Sequence, residues 1–323
     1  MLGTHAPGAP GFHDRLTHSS TARLLLAAAP LLALAIGSGN VTAQPTATRL
    51  DSTHRVATVT GLEGPEAVKY DSIQDVYFIA NFGPRAAASR DSNGYIARVR
   101  PDGTVETLKF MTGTAAAPLH QPRGMAITGD TLWVADADGV HGFLRRTGAH
   151  AAFVDFTAHQ PGFLNDIAVG PDGRLYITDT GLGRVYRITR GAAEIAVEDS
   201  MTGPPNGITW DASGSRFILA PWGDARTLRA WDPATGTLTE LDSMPGGRHD
   251  GIEMLNGGMV VTSQRDSTIY FVLGGRPHPV IRTPGAPADI GIDTRRGRIA
   301  VPYIALNRVD IWDLREVTVP LRR

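Results

Sequence analysis

Phe163-Leu164-Asn165-Asp166-Ile167-Ala168-Val169-Gly170-Pro171-Asp172-Gly173-Arg174-Leu175-Tyr176-Ile177-Thr178-Asp179-Thr180 holds two short strand-forming runs on either side of a Pro-Asp-Gly turn. Proline presets φ, aspartate closes an Asx turn and glycine accepts positive φ, so the stretch reads as a β-hairpin. Two polar residues, Asn165 and Asp166, stand immediately before the first strand. The same arrangement of polar pair, strand, turn and strand begins again at Glu66, Arg123, Asn206, Asp250 and Ala288. The successive offsets along the chain are 57, 42, 41, 44 and 38 residues. A period near forty is the sequence mark of a propeller blade made of four antiparallel strands.

The spacing therefore predicts an all-β, six-bladed β-propeller. His54 to Val59 reads as a strand that pairs with Arg308 to Trp312 of the last blade and closes the ring. Closure hides the strand edges that an open ring would expose. The longer first repeat reads as loop insertions at Ala86–Asn93 and Thr112–Leu119. Pro and Gly, at 22 and 37 residues, interrupt the chain too often for long amphipathic helices. Residues 44–323 are thus expected to form a single propeller domain.

Residues 1–43 read differently. The apolar run from Leu24 to Ile36 follows Arg15 and Arg23, and small residues lead to Val41-Thr42-Ala43. This is the three-part pattern of a cleavable signal peptide, with cleavage near Ala43 and a secreted or periplasmic product. An uncleaved anchor and a start codon placed too early are the alternatives. With no cysteine in the chain, disulfides, zinc-thiolate sites, thiol nucleophiles and lipid-modified cysteine anchors are all excluded. The formal charge of −1, without a basic block, argues against a nucleic-acid or anionic-membrane partner.

In a propeller the first strand of each blade lines the central channel, so residues in phase at those strand starts form a ring at one mouth. Here that column reads Glu66, Arg123, Asn165, Asn206, Asp250 and Ala288, with Asp166 and Asp289 beside it. Two carboxylates and two amide carbonyls in one ring suit a hard cation, and calcium accepts six to eight such oxygens. Zinc and copper would want nitrogen or sulfur donors that this column lacks. Against this, Asn and Asp before a strand often only cap turns through bonds to the backbone. At a single position such as Asn206 capping is the simpler account, but it does not require four donors in the same register.

Gly64-Pro65-Glu66, Leu164-Asn165-Asp166-Ile167, Pro205-Asn206-Gly207-Ile208 and Asp250-Gly251-Ile252, in that order and at blade spacing, resemble the regucalcin/gluconolactonase/LRE-like family of six-bladed propellers, related to paraoxonases and diisopropyl-fluorophosphatase. The resemblance extends from about Leu62 to Asp313. It implies that Glu66, Asn165, Asn206 and Asp250 hold a catalytic divalent ion, usually Ca²⁺. Glu63 is a rival for the first of these, and Glu66 fits the strand spacing better. The resemblance further implies a hydrolase opening a lactone or cleaving another ester, a small-molecule substrate, and Asp250 as general base, with Asp289 or Asp166 as the alternative. Asp166 also reads as a residue that orients its neighbours.

Blade two departs from the family, because Arg123 stands where paraoxonases have a histidine. It either binds an anionic substrate group or pairs with a ring carboxylate. His120 and His249 are candidates for reaching the mouth, against the plainer reading of solvated or turn-bonded side chains. No G-x-S-x-G elbow or H-E-x-x-H helix is present. The rival function is a non-catalytic propeller that binds a ligand or protein partner, which the fold alone does not exclude.

Overall fold

The computed structural model describes residues 49–84 and 90–317. The expected signal segment and residues 85–89 of the blade-one insertion lie outside the described residues. The strand β1 (Arg55–Val59) precedes blade one, which comprises β2 (Pro65–Asp71), β3 (Val76–Asn81), β4 (Tyr95–Val99) and β5 (Val105–Thr112). Blade two has β6 (Met125–Thr128), β7 (Thr131–Ala135), β8 (Gly139–Leu144) and β9 (His150–Asp155). Blade three has β10 (Leu164–Val169), β11 (Leu175–Asp179), β12 (Arg184–Thr189) and β13 (Ala192–Glu198). Blade four has β14 (Pro205–Asp211), β15 (Arg216–Pro221), β16 (Thr227–Trp231) and β17 (Leu238–Ser243). Blade five has β18 (His249–Leu255), β19 (Gly258–Ser263), β20 (Thr268–Leu273) and β21 (Arg276–Arg282). Blade six has only β22 (Gly291–Asp293), β23 (Arg298–Tyr303) and β24 (Arg308–Asp313) of its own.

The fourth strand of blade six is β1, giving the sheet order β1-β24-β23-β22. Val59 pairs with Val309 and Thr58 with Asp310, whose side chains also share a 2.8 Å hydrogen bond. The expected closure by the N-terminal strand is therefore present, and every sheet has four antiparallel strands. Helical structure among the described residues is limited to 3₁₀ turns of three residues.

The opening hairpin forms as its residues dictate. Gly173 takes φ 74°, the Asp172 side chain accepts the Arg174 N–H at 3.0 Å, and Val169 pairs with Leu175. First strands of neighbouring blades contact one another around the axis. At two of these contacts the residue following the polar one must be glycine. A Cβ on Gly207 would collide with the Asp250 carbonyl oxygen, and one on Gly251 with the Ile290 backbone nitrogen.

The first strands carry a further regularity. In β2, β10, β14 and β18 the pairing with the second strand shifts register at Glu66, at Asn165–Asp166, at Asn206–Gly207 and at Asp250–Gly251. Such a bulge bends the strand and re-aims a side chain. The pairings of β6 and β22 show no shift. Those two blades are the ones whose column residues are Arg123 and Ala288.

Blade six differs in one respect from the sequence reading, which started its first strand at Ala288. Asp289 instead bonds sideways to blade one, its N–H donating to Glu66 O at 3.0 Å and its carbonyl accepting the Val68 N–H at 3.2 Å. That parallel bridge, Ala67 to Asp289, uses the backbone groups a hairpin would need and leaves β22 three residues long.

Apolar clusters fill the wedges between blades. Between blades three and four, the fully buried Phe217 lies 4.5 Å from the ring of Tyr176, 4.9 Å from Trp210 and 5.4 Å from Trp231. Removing that ring leaves a cavity the neighbouring sheets cannot close, so Phe217→Ala is expected to cost about 3–5 kcal/mol. Leu182→Ala, at a 42% exposed position, is expected to stay within about 0.5 kcal/mol. Equilibrium denaturation of the two variants measures the contrast.

Candidate functional site

The predicted residues Glu66, Asn165, Asn206 and Asp250 sit at the bulges of their first strands. Glu66, Asn165, Asn206 and Asp250 are all buried, as are Asp166 and Asp289. Residues at and after the second strands hold several of them. Thr180 Oγ1 accepts the Asn165 side-chain amide at 3.0 Å and donates to Pro205 O at 2.7 Å. Thr178 Oγ1 accepts the Asp166 N–H at 2.9 Å and donates to Asn206 O at 2.6 Å. Asp250 Oδ2 accepts the Gln264 side-chain amide at 2.6 Å.

The electrostatics follow from burial and crowding. Desolvation, and then repulsion from Asp166, push the Asp250 carboxyl up to about 7, against the opposing hydrogen bonds from Gln264 and Asn206. Desolvation likewise lifts Asp166 to about 7, although Ile208 N–H and Ile167 N–H both donate to it. Glu66 is raised well above the ordinary carboxyl range by desolvation, then by Asp250, and Asp289 by desolvation, then by Asp166 and Glu66. These mutual influences place all four acids in one field. Four buried acids without compensating charge are strongly unfavourable when ionised.

Two oxygens in the ring are buried with no hydrogen-bond partner, Glu66 Oε2 and Asn206 Oδ1. Buried polar atoms are normally satisfied, and an orphan signals an ion, a water or a functional strain. Oxygen donors of carboxylate and amide type, converging and unsatisfied, fit a hard divalent cation. Glu66, Asn165, Asn206 and Asp250 would hold it. Asp166 already accepts two backbone N–H bonds, one from its own strand and one from β14, which suits it to orienting the strands around the site.

The other predicted residues are engaged elsewhere. Arg123 is buried, its guanidinium 3.8 Å from the centre of the Phe163 ring and 5.8 Å from that of Phe82. It donates to Leu164 O at 2.9 Å and to Gln121 Oε1 at 2.8 Å, and its charge favours the ionised form of Glu66. His120 Nδ1 accepts the Ser92 N–H at 3.2 Å, and its Nε2 lies 3.7 Å from Asp138 in blade two. His249 is fully buried, with Nε2 3.0 Å from Pro245 O, and burial lowers its pKa so that it stays neutral. His249 still pairs with Ser263, and the bulge that re-aims Asp250 begins immediately after it.

Sequence reasoning missed Lys69 and Glu253. They form a 2.7 Å ion pair linking the first strands of blades one and five, and the Lys69 charge also acts on Asp166 and Asp289. Each lies three residues beyond a predicted site residue, Glu66 or Asp250, on the same first strand. That recurring offset was a signal available in the chain.

Because folding raises Asp166 and Asp250 from the usual aspartate value near 4 to about 7, the cation-free folded chain binds more protons than the unfolded chain in that window. Stability therefore falls as pH rises from about 4 to 7. Melting temperatures in chelator are expected to decline over this interval. Millimolar calcium should raise them and flatten the decline, since a ligand of the native state stabilises by mass action. A profile unchanged by calcium would contradict this assignment of the ring.

The family model of the SMP-30/gluconolactonase/LRE-like region matches residues 91–264, just over half of the chain. The match takes in Asn165, Asn206 and Asp250. No curated protein sequence matches the chain significantly. Among solved structures, a gluconolactonase of Xanthomonas campestris is 17% identical, with 84% of this chain and 95% of that one covered and a TM-score of 0.62. A structural-genomics target assigned to the gluconolactonases is 15% identical over 83% of this chain and 97% of its own, with a TM-score of 0.61. A chain of the nidogen/laminin complex is 17% identical, covering 67% and 80%, with a TM-score of 0.54. At these identities the structural likenesses show the shared propeller fold.

Proposed function

The chain belongs to the SMP-30/gluconolactonase/LRE-like family, and on that premise we propose that it is a calcium-dependent hydrolase that opens a lactone or cleaves a related ester at the channel mouth. The observation that carries this reading is the pair of buried, unpartnered oxygens on Glu66 and Asn206 among four carboxyl groups of raised pKa. A propeller that only bound a partner would have no need to gather such a costly ring.

Calcium bound there would supply Lewis-acid stabilisation of the negative charge that develops on the substrate carbonyl oxygen. Glu66, Asn165, Asn206 and Asp250 would hold it. Asp250 is the best-placed general base. Its Oδ2 is steered by Gln264, and held as a carboxylate beside the cation it would take the proton from the attacking water. The water oxygen adds to the carbonyl carbon, the ring C–O bond breaks, and the proton passes to the alkoxide leaving oxygen, giving a hydroxy acid. Asp289, which shares the same field, is the alternative base. The exposed Phe163 ring, stacked on Arg123, lies beside the ring of acids and offers an apolar wall for a small-molecule substrate.

Lactones, aryl esters and phosphotriesters assayed with calcium and with chelator test the reading. Turnover of a lactone or ester is expected only with the cation. Asp250→Asn is expected to lower kcat at least about 10²-fold while the propeller remains folded. Retained turnover in that variant would remove Asp250 from its role. Calcium binding with no turnover of any substrate would favour the partner-binding propeller.

From the three-part pattern of residues 1–43 we further propose a secreted or periplasmic protein released from its signal segment. N-terminal sequencing of the protein from its native host is expected to begin at Gln44. Recovery of chains that still carry residues 1–43 would contradict it.

A further inference from the structure

Blade two carries a second group of metal-type side chains that the channel mouth does not use. The turn between β7 and β8 runs Asp136-Ala137-Asp138-Gly139 and is closed by the Asp136 N–H donating to Gly139 O at 2.8 Å. His141 follows on β8. One ligand atom from each of Asp136, Asp138 and His141 lies within 4.8 Å of the others. Asp136 and His141 are completely buried.

Asp136 has a role in the fold that needs no metal. Its oxygens accept the N–H groups of His120 at 2.7 Å and Gln121 at 2.5 Å, clamping the loop before β6. Asp179 clamps the loop before β10 in the same way, accepting from Gly162 and Phe163. What blade two adds is Asp138 and His141, and both bring unsatisfied atoms. His141 Nε2 and Asp138 Oδ1 are buried without a hydrogen-bond partner. The Asp136 Oδ2 atom stands 3.5 Å from His141 Nε2, beyond normal N–H···O length.

A neighbouring histidine occupies the position that orients a ligand. His141 Nδ1 is 3.0 Å from His150 Nε2. With its Nε2 on a metal, His141 would donate its remaining N–H to His150, the bond that metal-bound imidazoles almost always make. His120 Nδ1 accepts the Ser92 N–H, so its proton resides on Nε2, the atom facing Asp138 Oδ2 at 3.7 Å. At 3.7 Å that contact is electrostatic only, and His120 is not counted among the ligands.

We propose that Asp136, Asp138 and His141 form a second metal site, taking a divalent transition ion of the zinc, cobalt or manganese class. An imidazole nitrogen beside two carboxylates suits these ions, whereas calcium is served by the all-oxygen ring at the mouth. Hardness thus separates the two sites. An ion there would tie the β7–β8 turn to strand β8, beside the loop that Asp136 clamps through the His120 and Gln121 N–H groups.

The site is tested with Co²⁺ alone as the probe, titrated into the purified full chain in saturating calcium, following the visible d–d absorption and the heat of binding. One Co²⁺ per chain is expected. Asp138→Asn and His141→Gln should each weaken binding at least about 10-fold, and His150→Gln by about 10–100-fold. Asp138 and His150 are only partly buried, so those two variants carry the test if His141→Gln does not fold. Absence of the band in the unaltered chain, or a band unchanged by Asp138→Asn, overturns the proposal.

Discussion

Four acids crowded on one channel axis are the constraint around which the rest of this molecule is arranged. Glu66, Asp166, Asp250 and Asp289 are all buried, and Glu66, Asp166 and Asp250 each raise the proton affinity of at least one other. No fold gathers such groups at no cost. The donors Glu66, Asn165, Asn206 and Asp250 each sit at a bulge in the first strand of blades one, three, four and five, where regular pairing with the second strand is interrupted. Gly207 and Gly251 come immediately after two of them, where any side chain would strike the next blade.

The compensating charges sit around the ring. Lys69, paired with Glu253, acts on Asp166 and Asp289, while Arg123 acts on Glu66 from a stack against Phe163. Two fixed cations serve four ring acids and Glu253. The remaining imbalance and the orphaned oxygens of Glu66 and Asn206 share one remedy, a hard cation at the mouth. Blade two departs from this scheme. It has no bulge and its column residue is an arginine. Its carboxylates and histidines collect at the β7–β8 turn, where the donor set changes from oxygen alone to oxygen with nitrogen.

The propeller was legible because its signals are local and repeated. Pro171-Asp172-Gly173 forms the turn that its φ preferences dictate, and five further copies near a forty-residue period specify blades without knowledge of any long-range contact. The bulged positions Glu66, Asn165, Asn206 and Asp250 recur at equivalent places in their blades, which is what the repeat in the sequence expects of them. Ring closure by residues 54–59 could also be inferred, because the count of strands left one blade short.

Other features could not be read this way because they depend on neighbours distant in the chain. The two candidate histidines are engaged elsewhere, His249 with Pro245 O and His120 with the Ser92 N–H. Asp289 spends its backbone on blade one, which shortens β22 in a way no local pattern encodes. The Lys69–Glu253 pair joins residues 184 positions apart, and the cluster of Asp136, Asp138 and His141 with His150 forms only when three strands of blade two are laid side by side. The sequence by itself determined the blades, their number and the donors presented to the axis, through short-range preferences repeated in register. Only the tertiary structure decided which of those donors lack partners, because satisfaction of a buried oxygen depends on what every neighbouring blade places beside it.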